Sequence, residues 1–251
     1  VAEKAGVADP GHGRGVAWGD INNDGYMDVL VGNSLGFDHP AHNRLFRNDG
    51  DGTFTDITET SGIYEDTRTR CVSMADYDND GDQDLYVTSL IHNKTESINY
   101  LFRNDMGQFV DVSAEAGIKH SGKDMAVLFA DYDNDGYLDI FVANTDSNRL
   151  YKNIKEGKFR SVGMKAGLLD SSLGYAALFA DFDHEGDLDL FLATTSRNRL
   201  YRNNLDGTFT ELSKKMGIAG GNVLSRDAIF GDFDEDGDLD LFVVNEDSSN
   251  Q

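Results

Sequence analysis

The sequence predicts an all-β protein assembled from repeated four-stranded antiparallel sheets, and three observations predict it. An acidic nonapeptide recurs five times: "DINNDGYMD" from Asp20, "DYDNDGDQD" from Asp76, "DYDNDGYLD" from Asp131, "DFDHEGDLD" from Asp181 and "DFDEDGDLD" from Asp232, at spacings of 56, 55, 50 and 51 residues. Each copy stands between two short runs rich in Val, Phe and Tyr. After four of the copies come two further runs of the same kind, joined by a glycine-bearing turn. Fixed periods of this size mark a repeat architecture, and the short β-branched and aromatic runs between breakers read as strands rather than helices.

Taken in order, one unit opens with small and apolar residues, "GVAWGD", "CVSMAD", "AVLFAD", "AALFAD" and "AIFGD". The acidic turn follows, then a second strand, "MDVLVGN", "QDLYVTS", "LDIFVAN", "LDLFLAT" and "LDLFVVN". A third, "NRLFRND", "NYLFRND", "NRLYKNI" or "NRLYRNN", and a fourth, "GTFTDIT", "GQFVDVS", "GKFRSVG" or "GTFTELS", complete the first four units, with a hairpin turn such as "NDGDG" between them. A connection carrying "AGI"-like residues closes each of these four units. Four antiparallel strands per unit of about 50 residues make the blade of a β-propeller. A solenoid is the competing repeat fold, but its turns are about half this length. Residues 1–251 therefore read as one β-propeller domain or part of one, with units near 8–62, 63–118, 119–168, 169–218 and 219–251. The last unit is incomplete: after "LFVVNEDSSNQ" no outer strands follow, which leaves "DLDLFVVN" as an edge. Missing strands elsewhere in a longer chain, or strands donated by a neighbouring subunit, would cover it.

The composition sets limits on partners. With 39% hydrophobic residues the chain can build a real core, and a formal charge of −23 disfavours nucleic acid and anionic membranes, which need a positive face. No apolar run approaches the roughly 20 residues of a membrane span. The lone Cys71, in the apolar stretch "RCVSMAD", can form no internal disulfide and reads as a packed, inert thiol.

The crowded carboxylates ask for a cation. Ca²⁺ takes six to eight oxygens at about 2.3 to 2.6 Å, best supplied by a tightly curled, carboxylate-rich chain. Side chains at positions 1, 3, 5 and 9 of the nonapeptide, the backbone carbonyl at 7 and a glycine turn at 6 meet that demand. These positions are Asp20, Asn22, Asp24, Tyr26 and Asp28 in the first loop, and Asp76, Asp78, Asp80, Asp82 and Asp84 in the second. In the third they are Asp131, Asp133, Asp135, Tyr137 and Asp139, in the fourth Asp181, Asp183, Glu185, Asp187 and Asp189, and in the fifth Asp232, Asp234, Asp236, Asp238 and Asp240. An EF-hand is excluded, because position 12 holds Val31, Val87, Val142, Leu192 and Val243 instead of Glu. About five Ca²⁺ sites are expected, structural in role. The neutral Asn22 and the longer Glu185 predict that the first and fourth loops release their ions first.

With its four partners, the stretch "GYAALFADFDHEGDLDLFLAT" resembles the FG-GAP and VCBS repeats of integrin-type β-propellers, although no unit shows the full Phe-Gly to Gly-Ala-Pro frame. Segments like "LFRNDGDGTFTDIT" are similar to those of bacterial secreted relatives, some carrying an ASPIC/UnbV domain. The resemblance implies calcium in a DxDxDGxxD loop between the first two strands of each blade, and a ring of about seven blades. It also implies an extracellular or cell-surface location and a binding or adhesion module for a protein or glycan. The other readings are a structural subunit of a surface layer or filament built by self-association, and a non-catalytic accessory domain of a secreted polysaccharide-degrading enzyme.

Nothing in the chain points to an enzyme. His12, His39, His42, His92, His120 and His184 follow no metal-ligand spacing, and no nucleophile elbow is present. His12, His39 and His42 lie near the long connections of the first unit, where solvated loop histidines are expected. Arg47, Arg103, Lys152 and Arg202 fall at one equivalent position per unit, which suggests pairing with an acidic residue of the same or the neighbouring blade. The sequon at Asn93 is too short a match to carry weight.

Overall fold

The computed structural model of the chain describes residues 1–34, 42–63, 69–89, 98–118, 122–168, 174–218 and 224–246. The strands in chain order are β1 (His12–Gly19), β2 (Asp28–Ser34), β3 (Arg44–Asn48), β4 (Phe54–Asp56), β5 (Thr69–Ala75), β6 (Asp84–Ser89), β7 (Tyr100–Asp105), β8 (Gln108–Asp111), β9 (Asp124–Ala130), β10 (Asp139–Asn144), β11 (Arg149–Asn153), β12 (Phe159–Ser161), β13 (Gly174–Ala180), β14 (Asp189–Thr194), β15 (Arg199–Asn203), β16 (Phe209–Glu211), β17 (Leu224–Gly231) and β18 (Asp240–Glu246). They form four four-stranded sheets and one two-stranded sheet, each in simple sequential order. Every described pairing is antiparallel, with repeating register: Leu30 faces Leu45 in the first sheet and Phe191 faces Leu200 in the fourth. This is the architecture of successive β-propeller blades, the last showing its inner hairpin among the described residues.

Two compact units divide the chain: Val1–Asp124 with Ile154–Phe159, and Met125–Asn153 with Arg160–Gln251. In the first, Ile21, Leu30 and Leu45 pack against Val72, Leu85, Val87 and Phe102 of the next blade. In the second, Leu190 and Leu192 of β14 join Phe141, Ala143 and Leu150, while Phe191 and Ala193 join Ala228 and Val243. A strand covered on both faces is apolar at successive positions, and so all four of these β14 residues are 0% exposed. Each such Leu or Phe contributes about 1.5 to 3 kcal/mol on burial. The same pattern on β18 behaves differently. Phe242 is 42% and Val244 38% exposed, because no described strand or blade covers that face.

The small residues of the first strands answer to close approach. A Cβ added to Gly15 would lie 3.1 Å from the Cys71 Cα and the Val72 nitrogen, so β1 runs against β5 backbone to backbone. Cys71 is half-buried on β5. The "AGI"-like residues become plugs: Ala116, Ile118, Ala166 and Leu168 are buried after β8 and β12. Two of these connections form four-residue helical turns, Thr58–Ser61 and Gly163–Ala166, each ended by a left-handed glycine.

Candidate metal centres

Each acidic loop joins the first two strands of its sheet and is held by its own backbone. The residue at position 4 is left-handed in every copy, with φ between 56° and 64° at Asn23, Asn79, Asn134, His184 and Glu235. The glycine at position 6 follows at φ 84° to 96°, a region that side-chain-bearing residues rarely adopt. This curl points the amides of positions 5 and 6 at the first carboxylate. Asp131 accepts from the Asp135 and Gly136 nitrogens at 2.9 and 2.8 Å, and Asp20, Asp76 and Asp232 accept the same pair. Asp181 accepts from Gly186 at 3.0 Å.

The ninth residue opens the second strand and is a structural anchor. Asp84 accepts the Tyr77 amide at 3.1 Å and the Asn104 amide at 2.8 Å. Asp28, Asp139 and Asp189 accept the equivalent pair, and all four are buried. Burial raises the pKa of Asp84 to about 8 against the lowering effect of those amides, and the charges of Asp78 and Asp80 push it the same way as burial. Burial likewise brings Asp139 and Asp189 to about 7 and raises Asp28. Burial thus favours the neutral form of these carboxylates, an effect that a nearby positive charge would oppose.

Carboxylate oxygens within 4.8 Å of one another gather as Asp76, Asp78 and Asp84, as Asp131, Asp133 and Asp139, as Asp181, Asp183, Asp187 and Asp189, and as Asp232, Asp234 and Asp240. Positions 1, 3 and 9 thus converge in four loops, while position 5 stays out of these groups. Asp24, Asp80, Asp135 and Asp236 instead accept the amide two residues ahead. Loop one lacks the third carboxylate, and its Asn22 amide donates to Asp24 at 2.9 Å. In loop four the Asp187 side chain turns inward, although sequence reasoning assigned position 7 only a backbone carbonyl. Asp82, at the same position, turns outward and accepts from Asn23 at 2.7 Å and from the Met106 amide at 2.9 Å.

The donor set fits a hard divalent cation. Asp78 Oδ1, Asp133 Oδ1, Asp181 Oδ1, Asp183 Oδ1 and Asp187 Oδ1 are buried without a hydrogen-bond partner, and unpaired buried carboxylate oxygens are costly unless they ligate an ion. The residues that would hold it are those at positions 1, 3 and 9, with Asp187 added in loop four.

Two of the four basic residues of the third strands, Arg47 and Lys152, reach acidic partners within their own blades. Arg47 pairs with Asp49 at 3.0 Å, and Lys152 Nζ bonds Asp133 and lies 3.1 Å from Asp135. Arg103 lines a cleft of about 270 Å³ with Tyr77, Asp78 and Asp80. Among the histidines, His12 heads β1, His42 precedes β3 half-buried, and His184 Nε2 lies 3.4 Å from Asp238. His39, His92, His120 and Asn93 lie outside the described residues.

Sequence reasoning missed the asparagines that bracket "NRLYRN". Asn43, Asn99, Asn148 and Asn198 accept the amides of Asn33, Ser89, Asn144 and Thr194 across the β2–β3-type connection. Asn104 donates to the Ile21 carbonyl and Asn203 to the Tyr132 carbonyl, both in the preceding loop. Their recurrence at both ends of the motif was the available signal.

Fold and loops together define a blade-built repeat protein with an acidic, cation-suited turn between the first two strands of each blade. FG-GAP-like repeat models match residues 33–87, 90–142, 131–192 and 181–243, and an FG-GAP repeat model matches 12–53. The chain belongs to the FG-GAP-like repeat family. It is 31% identical over 152 residues to cartilage acidic protein 1 of Mus musculus and of Homo sapiens, alignments covering 58% of this chain. The chain spans 23% and 22% of the length of those relatives. Among solved structures it is similar to the V. cholerae biofilm matrix protein Bap1, with a TM-score of 0.53 at 16% identity, over 93% of this chain and 35% of that one. Among the described residues no helix is long and apolar enough to cross a membrane.

Proposed function

We propose that this chain is a calcium-stabilised, non-catalytic extracellular binding module that recognises a protein or a glycan. The observation that carries the calcium part is the set of buried carboxylate oxygens without partners at Asp78, Asp133, Asp181, Asp183 and Asp187, in the second, third and fourth loops, gathered beside the ninth-position carboxylates. A bound ion supplies positive charge there and ties the loop to both strands it joins. At millimolar calcium, sites with dissociation constants of about 10⁻⁴ to 10⁻³ M each add on the order of 0.4 to 1.4 kcal/mol. Several such sites add up to a sizeable part of an ordinary domain's net stability. The adhesion part draws support from the family and from similarity to proteins named for cartilage and for biofilm matrix.

The test applies the purified chain to a glycan array and to a panel of immobilised matrix proteins, with calcium and with EGTA. Retention on a defined ligand that calcium strengthens is the expected result. A folded, calcium-loaded chain that binds nothing in either condition rejects the adhesion part, and one that takes up no calcium by elemental analysis rejects the metal part.

A further inference from the structure

We propose that the position-4 side chains couple neighbouring acidic loops, so that a cation held in one loop raises the affinity of the next. This rests on the reading of the loops as calcium sites. Asn23 belongs to the first loop, yet its Nδ2 donates to Asp82 Oδ1 at 2.7 Å and approaches the Gly81 carbonyl at 3.3 Å, both in the second loop. In the other compact unit Asn134 Nδ2 donates to the Gly186 carbonyl at 3.1 Å, and His184 Nε2 lies 3.4 Å from Asp238. Twice, then, position 4 of one loop donates to position 6 or 7 of the following one, and a third time it lies beside position 7. Those are the turn glycine and the residue whose carbonyl faces the ion in the sequence reading.

The grip transmits because both of its ends are conformationally special. Asn23, Asn134 and His184 reach across from left-handed backbone, φ 57°, 56° and 59°, a geometry that holds only while their own loop keeps its curl. A cation bound in the loop adds to the backbone hydrogen bonds that already hold that curl, and so fixes more firmly the direction of the position-4 side chain. The fixed amide in turn holds the next loop's turn in its binding form, and a preorganised site binds more tightly because less ordering remains to be done. By linkage, the second site strengthens the first by the same factor.

Asn23 is on this view a positioning residue, and Asn23→Gly isolates its role. Glycine accepts the positive φ of that position and removes only the amide. Calcium titrations are followed by NMR at the position-6 amides, Gly25 for the first loop and Gly81 for the second, with Gly186 and Gly237 as internal controls. Asn23→Gly is expected to weaken the second loop about five-fold, near the lower end of measured couplings because the contact is exposed, while leaving the control loops unchanged. Asp20→Asn, which cripples the first loop, should weaken the second loop in the wild-type chain but not in the Asn23→Gly chain. A second loop whose affinity ignores both substitutions, in a chain that does bind calcium there, overturns the coupling. Failure of Gly81 to respond to calcium at all instead overturns the reading of the loops as calcium sites.

Discussion

The third and fourth loops differ in the opposite sense to their sequences. By sequence the third is the stronger site, with Asp at positions 1, 3, 5 and 9, and the fourth is compromised by Glu185. In the folded chain Lys152 reaches into the third loop and bonds Asp133 and Asp135, so part of its negative charge is already neutralised. The fourth loop gathers four carboxylates, since Asp187 turns inward to join Asp181, Asp183 and Asp189. Asp187 is 4% exposed with one oxygen unpartnered, and burial together with the charges of Asp183, Asp181 and Glu185 raises its pKa. The lesson is that counting charges within a loop does not count the charges that the fold turns inward.

The largest expected effect concerns both loops at once. Calcium removal should lower the melting temperature by on the order of 10 °C, given about 2 to 7 kcal/mol summed over the sites and about 2 to 4 °C per kcal/mol for a chain of this size. Differential scanning calorimetry in EGTA and after calcium is restored, with metal content measured, checks this. An unchanged melt would remove the basis for comparing loops as metal sites.

Next comes the position the two loops share. Asp139 and Asp189 each accept two backbone amides from inside the fold. Asp139→Ala and Asp189→Ala should each cost about 2 to 6 kcal/mol in urea unfolding even without calcium, because each orphans two amides at about 1 to 3 kcal/mol apiece. Unequal costs for the two variants would mean that the anchor differs between the loops, contrary to their matching hydrogen bonds.

A smaller effect isolates what is special to the fourth loop. Asp187→Asn keeps the shape but deletes one of four charges, and should weaken calcium binding at Gly186 about tenfold, in line with the dependence of calcium affinity on ligand charge count. If Gly186 titrates as before, the Asp187 side chain does not face the ion.

The smallest effect isolates the third loop. Lys152→Met removes the resident ammonium and should raise affinity at Gly136 by about three-fold, a modest gain because the pair is partly exposed and screened by solvent. A fall in affinity would show instead that Lys152 shapes the loop rather than competing with the ion.

Much of this architecture was legible in the primary structure because it is carried by short-range chemistry. The spacing of the nonapeptides marked the repeat, and alternation of apolar runs with glycine turns marked four strands per blade. The Asp and Gly positions marked the curl that the φ angles of Gly25, Gly81, Gly136, Gly186 and Gly237 display. The bracketing asparagines were visible as a repeated motif but not as hydrogen-bond partners, since Asn104 and Asn203 bond carbonyls 83 and 71 residues away.

What the sequence alone determined is therefore everything set within a single unit: the period, the strand order, the turn and the residues offered at its nine positions. Tertiary structure decided which of those residues face inward. Asp82 and Asp187 occupy the same position, yet Asp82 is drawn outward by Asn23 and by the Met106 amide, while Asp187 turns into its own loop. Lys152 and Asn23 are ordinary polar side chains until folding sets them beside Asp133 and Asp82. The physical reason is range: backbone curl follows from neighbouring residues along the chain, whereas the direction of a flexible polar side chain follows from whichever charge the fold brings within hydrogen-bond reach.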